Sequence, residues 1–303
     1  MIEFPSKREM AVRAMLGWTP PKGFENRLEH SHTAVMALIL ADALIPEVVN
    51  EVTQFVVNCI QPDHGLNDGA WPESEMECAY SAVRAMRLCG TLDRYPEREE
   101  LIEWICSKQN EDGGFGALCD WGQAFEHEKE VVAKDMSVLG FHQESSSHAC
   151  FFAYGALEAL GATEKANLSN LVEFLVNDQK EEGGWPFYPT NPRPNTITTA
   201  MALHVLRKLD TTDKIDKKKT IDWLVACQAK DGSFDGYPGL GESFLQELYT
   251  GRASKALRIL NALNCIDYWK FEEYWNKRSI VAGGWNVVCR GMAMGVPLIL
   301  QER

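Results

Sequence analysis

The sequence predicts an all-α fold: an (α/α)6-type barrel of five inner–outer helix repeats, with a sixth pair supplied by the two ends of the chain. Three observations predict it. A short string running from Gln to Gly recurs along the chain, an amphipathic stretch precedes each copy, and a more apolar stretch with an Ala-Leu pair follows.

The recurring string is Gln61-Pro-Asp-His-Gly65, Gln109-Asn-Glu-Asp-Gly-Gly-Phe-Gly116, Gln179-Lys-Glu-Glu-Gly-Gly-Trp185 and Gln228-Ala-Lys-Asp-Gly-Ser-Phe234. A fifth copy, Val281-Ala-Gly-Gly-Trp285, lacks the Gln. The first glycines, at 65, 113, 183, 232 and 283, are spaced 48, 70, 49 and 51 residues apart. Three near-equal periods and one lengthened by about 20 residues indicate one repeated unit with a single insertion.

The stretches Val48–Gln61, Glu97–Gln109, Lys165–Gln179 and Lys214–Gln228 carry apolar residues at helical spacing, as in Leu101, Trp104 and Ile105, and read as outer helices. The glycines are expected to end those helices and reverse the chain. The stretches bearing Ala37-Leu38, Ala82-Val83, Ala156-Leu157, Ala202-Leu203 and Ala256-Leu257 are apolar nearly all round, which marks buried inner helices. A helix over Ser6–Leu16 and the apolar stretch Asn286–Leu300 remain, and they complete the sixth pair. One domain over 1–303 is expected, with 117–144 as an insertion that is either a lid over one mouth or a solvated acidic loop.

The 303 residues are 45% hydrophobic and 24% charged, ordinary globular values, with a formal net charge of -13. That balance speaks against nucleic acid as a partner. No secretory pattern opens the chain, and its longest apolar run, Thr33–Ile45, is too short to span a bilayer. The nine cysteines are scattered with no CxxC pair, so neither a disulfide framework nor a cysteine zinc site is expected. A reduced, cytoplasmic location follows as the expectation, with the oligomeric state open.

Gln-x-x-(Asp/Glu)-Gly-(Gly/Ser)-(Phe/Trp) followed by an Ala-Leu inner helix resembles the repeat of squalene and diterpene cyclases and of protein prenyltransferase β subunits, over residues 28–300. The resemblance implies that the Gln and the aromatic residue of each copy are structural, and that an isoprenoid or similar hydrophobic substrate enters a central cavity. Proton-initiated cyclases of that group carry an Asp-rich box where this chain reads Asn195-Thr-Ile-Thr-Thr-Ala200, with Thr198 inside it and no aspartate. The zinc-binding Asp-x-Cys-Tyr of the β subunits corresponds to Gln246-Glu-Leu-Tyr249, and no His follows His204. No metal or other cofactor is therefore expected. The Cys-Gly-Glu-Gln element of thioester domains with a similar repeat is absent too.

Superposing the repeats on their Ala-Leu pairs sets Asn195 and Ile197 level with Tyr249 and Gly251, Ala149 and Phe151, Glu75 and Glu77, and His30 and His32. Glu75, Glu77, His30 and His32 are thus the candidate catalytic residues. Such a group could hold a carboxyl that protonates an alkene or epoxide. It could instead ligate a metal, or simply cap helices and pair at the rim. His148, Phe151, Asn195, Thr198, Tyr249 and Arg252 are candidate substrate-binding residues: an Arg at that depth can meet a diphosphate or, equally, pair with Glu247, and aromatic faces stabilise cations. Helix N-termini at one mouth favour acids and phosphates. Three functions stay open: a cyclase-like lyase or isomerase, a non-catalytic isoprenoid-binding barrel, and a prenyltransferase β-like subunit.

Overall fold

A computed structural model describes residues 28–40, 44–68, 73–119, 141–188, 191–241, 243 and 245–277. In chain order its α-helices are α1 (Leu28–Leu40), α2 (Pro46–Asn58), α3 (Met76–Cys89), α4 (Arg98–Ser107), α5 (Ser147–Leu160), α6 (Leu168–Asn177), α7 (Thr196–Lys208), α8 (Lys217–Ala226), α9 (Gln246–Ile259) and α10 (Tyr268–Lys277). The odd-numbered helices are the inner layer. Each packs on the next, α1 on α3, α3 on α5, α5 on α7 and α7 on α9. Almost every residue of α3, α5 and α7 is buried, whereas the outer α4, α6 and α8 bury one stripe each, such as Leu171, Val172 and Leu175. Each such aliphatic side chain contributes about 1.5–3 kcal/mol of burial. The expected sixth pair, the fifth turn at 281–285 and residues 120–140 of the insertion lie outside the described residues.

Inner helices α3, α5, α7 and α9 are each closed by one residue in the left-handed region. Gly90 and Gly161 close α3 and α5 at φ 69° and 66°, and Asp210 and Asn261 follow α7 and α9 at φ 53° and 56°. The residue after each donates to a carbonyl five positions back: Thr91 to Met86, Ala162 to Leu157, Thr211 to Leu206 and Ala262 to Leu257. This double-capped ending satisfies carbonyls that would otherwise be orphaned and turns the chain through a single 3₁₀ turn into the outer helix.

The Gln-to-Gly string works differently from a helix terminator. The outer helices end before the Gln, at Ser107, Asn177 and Ala226, and the glycines lie in the turn beyond. Gln109 Nε2 donates to the Asn167 carbonyl, and the Asn167 N–H donates to Gln109 Oε1, both at 2.9 Å. Gln179 makes the same pair with Asp216 at 3.3 and 3.2 Å, and Gln228 with Asp267 at 3.1 and 2.9 Å. Asn167 and Asp216 are the N-cap residues of α6 and α8, and Asp267 accepts from Lys270 N–H at the start of α10. One side-chain amide therefore fastens each turn to the start of the next outer helix. A Cβ on Gly113, Gly183 or Gly232 would lie 2.2–2.4 Å from backbone atoms of Asn170, Lys219 or Lys270, so only glycine allows this approach.

The first copy departs from this. Gln61 donates to the carbonyls of Cys59 and Asn67 within its own turn. The link to α4 passes instead through Asp63, which accepts from Trp104 Nε1 at 3.0 Å, and through His64, 2.9 Å from Glu97. Gln179→Ala is accordingly expected to lose about 1–3 kcal/mol of stability, two or more hydrogen bonds to a helix start. Gln61→Ala loses less. Urea unfolding of both variants checks this ordering, and equal losses would contradict it.

Candidate functional site

The level of each candidate follows from the backbone. Glu75, Ser146 and Asn195 are the N-cap residues of α3, α5 and α7. Their N–H groups donate to the residue closing their own turn: Leu66, Phe115 and Trp185. Ser146 and His148 are thus level with Asn195 and Ile197, which corrects the placement of Ala149 and Phe151 there. Counting back from the left-handed residues likewise puts Gln246 and Leu248, not Tyr249 and Gly251, at that level in α9. The cause is a doubled small residue: Ala153 precedes Ala156 and Ala253 precedes Ala256, one turn apart on the same face.

Asn195 and Ser146 are structural caps, accepting from Ile197 N–H at 2.8 Å and Ala149 N–H at 3.0 Å. Thr198 is fully buried in α7, and the buried ring of Tyr249 fills the space beside Gly236. Glu75 is buried at the start of α3, where Cys78 Sγ donates to it at 3.5 Å. Burial, then the charges of Glu75, Asp68 and Glu77, push the Cys78 thiol well up, so three carboxylates share this end of α3. The root of the insertion lies here too: Met76 N–H donates to Ala117 O, and β1 (Leu118–Cys119) pairs antiparallel with β2 (Phe141–His142). A second hairpin, β3 (Pro186–Tyr188) with β4 (Asn191–Pro194), precedes α7. The side chain of His30 lies outside the described residues.

His32 joins a different group. Its ring meets Tyr80 edge-on at 5.5 Å. Burial, then the charges of Arg84 and Arg252, push its imidazole down to about 3. His148 meets Phe152 at a tilt and Phe187 edge-on, with ring centroids 4.8 and 4.4 Å apart, and burial with Arg252 holds it down to about 3. Burial and then Lys255, Lys208, Arg252 and Arg84 keep His204 well below its ordinary range. The Lys255 ammonium is lowered by burial and by Arg252, Arg84, Lys208 and Arg207. Phe151 lies against Tyr80, with the Arg252 and Lys255 side chains both 5.9 Å from its ring.

Arg84, His204 and Lys255 each lie six residues before the left-handed residue of their helix, so they form one layer deep inside the ring. The fourth member of that layer is Gly155, where a Cβ would come 2.6 Å from the Tyr80 ring. Arg84 and Lys255 are 6% and 5% exposed, and among the described residues Arg84 donates no hydrogen bond. Every charge named above as acting on His32, His148, His204 and Lys255 is positive. Guanidinium groups next to His32 repel a cation, and among the described residues no three His, Cys, Asp or Glu side chains are grouped to hold one.

Arg84, Lys255, His204 and Tyr80 are the residues that reading the Ala-Leu pairs alone misses. Aligning the chain on Gly90, Gly161, Asp210 and Asn261 would have found three of them as one row.

The neutral imidazoles set a pH dependence. Between pH about 6.5 and about 3 the unfolded chain binds protons at His32 and His148 that the folded chain refuses, so stability falls as pH drops through that window. Urea unfolding at successive pH values should show this loss, with a shallower slope for His148→Phe. An unchanged slope in that variant would contradict it.

The model of the prenyltransferase alpha-alpha toroid domain matches residues 14–119 and 128–290. Lanosterol synthase of Pneumocystis carinii is 24% identical over 223 residues, 65% of this chain and 30% of that protein. The chain thus spans under a third of that relative's length. The geranylgeranyl transferase type-2 subunit beta of Saccharomyces cerevisiae is 24% identical over 255 residues, 82% of this chain and 70% of that one. Among solved structures, Candida albicans protein geranylgeranyltransferase-I complexed with GGPP superposes with a TM-score of 0.66 at 14% identity, over 89% of this chain and 80% of that one. A type II terpene cyclase from Scytonema, in complex with geranylgeranyl dihydroxybenzoate, gives 0.52 at 11% identity, over 98% and 77%. At those identities the two structures show the fold alone. No helix among the described residues is long and apolar enough to cross a membrane.

Proposed function

The chain belongs to the prenyltransferase alpha-alpha toroid family, and on that footing we propose that its interior binds an isoprenoid by an anionic head group, a diphosphate above all. The observation that carries this reading is the row of Arg84, His204 and Lys255, where the charges of Arg84, Arg252 and Lys255 act on His204 and those of Arg84 and Arg252 on His32. Buried basic side chains gain most from an anionic partner. Arg252 and Lys255, one turn apart on α9, suit one polyanionic group, and Tyr80, Phe151 and Phe152 offer an apolar wall for the hydrocarbon. Candida albicans protein geranylgeranyltransferase-I is complexed with GGPP, a ligand of this class.

The chemistry such a site supports is departure or transfer of the diphosphate, where negative charge grows on the leaving group. Protonation of a neutral alkene is the weaker reading, because the resulting carbocation would form among cations. One observation still favours it: Glu75 is a buried carboxyl among other carboxylates at the start of α3. A barrel that only holds the prenyl chain is the remaining reading, and turnover separates it from the other two.

Calorimetric titration with geranylgeranyl diphosphate and with geranylgeraniol tests the proposal. The diphosphate is expected to bind at least about 10-fold more tightly than the alcohol, and Arg84→Gln to weaken it by about 10- to 100-fold while leaving the alcohol unaffected. Equal binding of the two ligands would contradict an anion site. Loss of turnover in Glu75→Gln with diphosphate binding intact would favour the acid reading.

A further inference from the structure

We propose that the first seam of the ring, where the turn after α2 meets the start of α4, is a proton-dependent clasp. His64 takes the left-handed place that glycine holds in the other turns, and its protonated ring holds Glu97 where the other seams use a glutamine. The inference concerns the outer layer and stands apart from the anion-binding reading.

Hydrogen bonds place the first turn on the second residue by residue. Ile60 bridges to Leu66 as Gln109 does to Phe115. Asp63 accepts from the Gly65 N–H at 3.1 Å and from the Ser74 hydroxyl at 2.6 Å. Asp112 accepts in the same way from Gly114 at 3.0 Å and Ser145 at 2.6 Å. Ile60, not Gln61, therefore stands in the place of the tying glutamine, and an isoleucine has nothing to tie with. His64 falls on Gly113, at φ 67° against 89°. A side chain there carries backbone strain that glycine escapes. It also closes the backbone approach that Gly113, Gly183 and Gly232 allow.

The residue that His64 meets is altered as well. Glu97 is the N-cap residue of α4, the place of Asn167 in α6 and Asp216 in α8. Those two turn their side chains onto their own helices, accepting from Asn170 and Lys219 N–H. Glu97 makes no such cap bond, and its carboxylate lies 2.9 Å from His64 Nδ1. The missing glutamine, glycine and cap thus converge on one ion pair.

The charged groups that face the ring are Glu97 and Glu100 from the α4 side and Asp63 from its own turn, and all three are acidic. Ser74, just before α3, and Lys108, just past α4, engage Asp63. The bond to Glu97 comes first. Opposed by slight desolvation and supported by the charges of Glu97, Glu100 and Asp63, it holds the imidazolium above the ordinary histidine range. The clasp is then fully made below pH about 6.5, the unfolded value, and is lost as pH rises through the folded one. The Trp104 bond to Asp63 stays, because a carboxylate does not titrate there, so the seam loosens rather than parts. The same turn sets two inner helices: the Glu75 N–H donates to Leu66 O and the Leu28 N–H to Asp68, both at 2.9 Å. Loosening therefore bears on the starts of α1 and α3, while the seams tied by Gln109, Gln179 and Gln228 have no group that titrates.

Hydrogen exchange of the full chain at pH 6.5 and 8.5, read as protection factors so that the intrinsic rate cancels, tests the clasp. Residues 60–67 and the first turn of α4 should lose about 2- to 5-fold in protection at the higher pH, the worth of one exposed ion pair. The turns at 109–115, 179–185 and 228–234 should keep theirs. His64→Gln retains the left-handed strain and a hydrogen-bond donor but cannot titrate, so its first turn should be equally protected at both pH values. His64→Gly, which relieves the strain and removes the tie, should be independent of pH too. A wild-type first turn that does not respond to pH overturns the inference. An equal loss in all four turns, or the wild-type loss persisting in His64→Gln, overturns it as well.

Discussion

The carboxamide of a glutamine holds this ring in register. Gln109, Gln179 and Gln228 each bond to the N–H and the C=O of the residue that starts the next outer helix. A carboxamide is one of the few side-chain groups that can donate and accept at once. Because it engages a backbone start rather than a side chain, the next helix can vary in sequence while its position stays fixed. The glycine four residues on lets the turn touch that helix. With the outer layer set, the inner helices follow: the N-cap residues of α3, α5 and α7 are each tied to their own turn, so their levels match from repeat to repeat.

Matched levels are what create the interior site. Arg84, His204 and Lys255 come from three different repeats and meet because each lies the same distance from the left-handed residue that closes its helix. A one-turn slip would put Tyr80, Ala200 and Gly251 in their places. Basic side chains buried close together do not serve stability by themselves, and the proposed anion would offset them. Gly155 belongs to the same logic. It leaves its place in the layer empty, and the Tyr80 ring fills the space.

The repeats and their inner–outer alternation were legible in the sequence, since Gln, Gly and an aromatic residue recur where the turn geometry needs them. The register within the inner helices was not. Alanines at both 153 and 156, and at both 253 and 256, satisfy the same pattern one turn apart, and periodicity cannot choose between them. That slip set Ala149 and Tyr249 level with Asn195, and it hid the row of Arg84, His204 and Lys255. Arg84 and Lys255 were also obscure for a physical reason: a lone basic residue in a helix ordinarily lies at the surface, and burial of one is visible only in three dimensions. His32 was singled out as one of a His–Glu group, whereas its electrostatic neighbours are arginines. The glycines were expected to end the outer helices; they lie instead in the turns, against the next helix.

The central claim is that the interior of the ring is an anion site reached by an isoprenoid head group. A crystal structure of the full chain with inorganic pyrophosphate tests it most directly. The account predicts the anion bound within hydrogen-bonding distance of Arg84, Arg252 and Lys255. Pyrophosphate found only at the outer surface, or an interior occupied by none at saturating concentration, would contradict it.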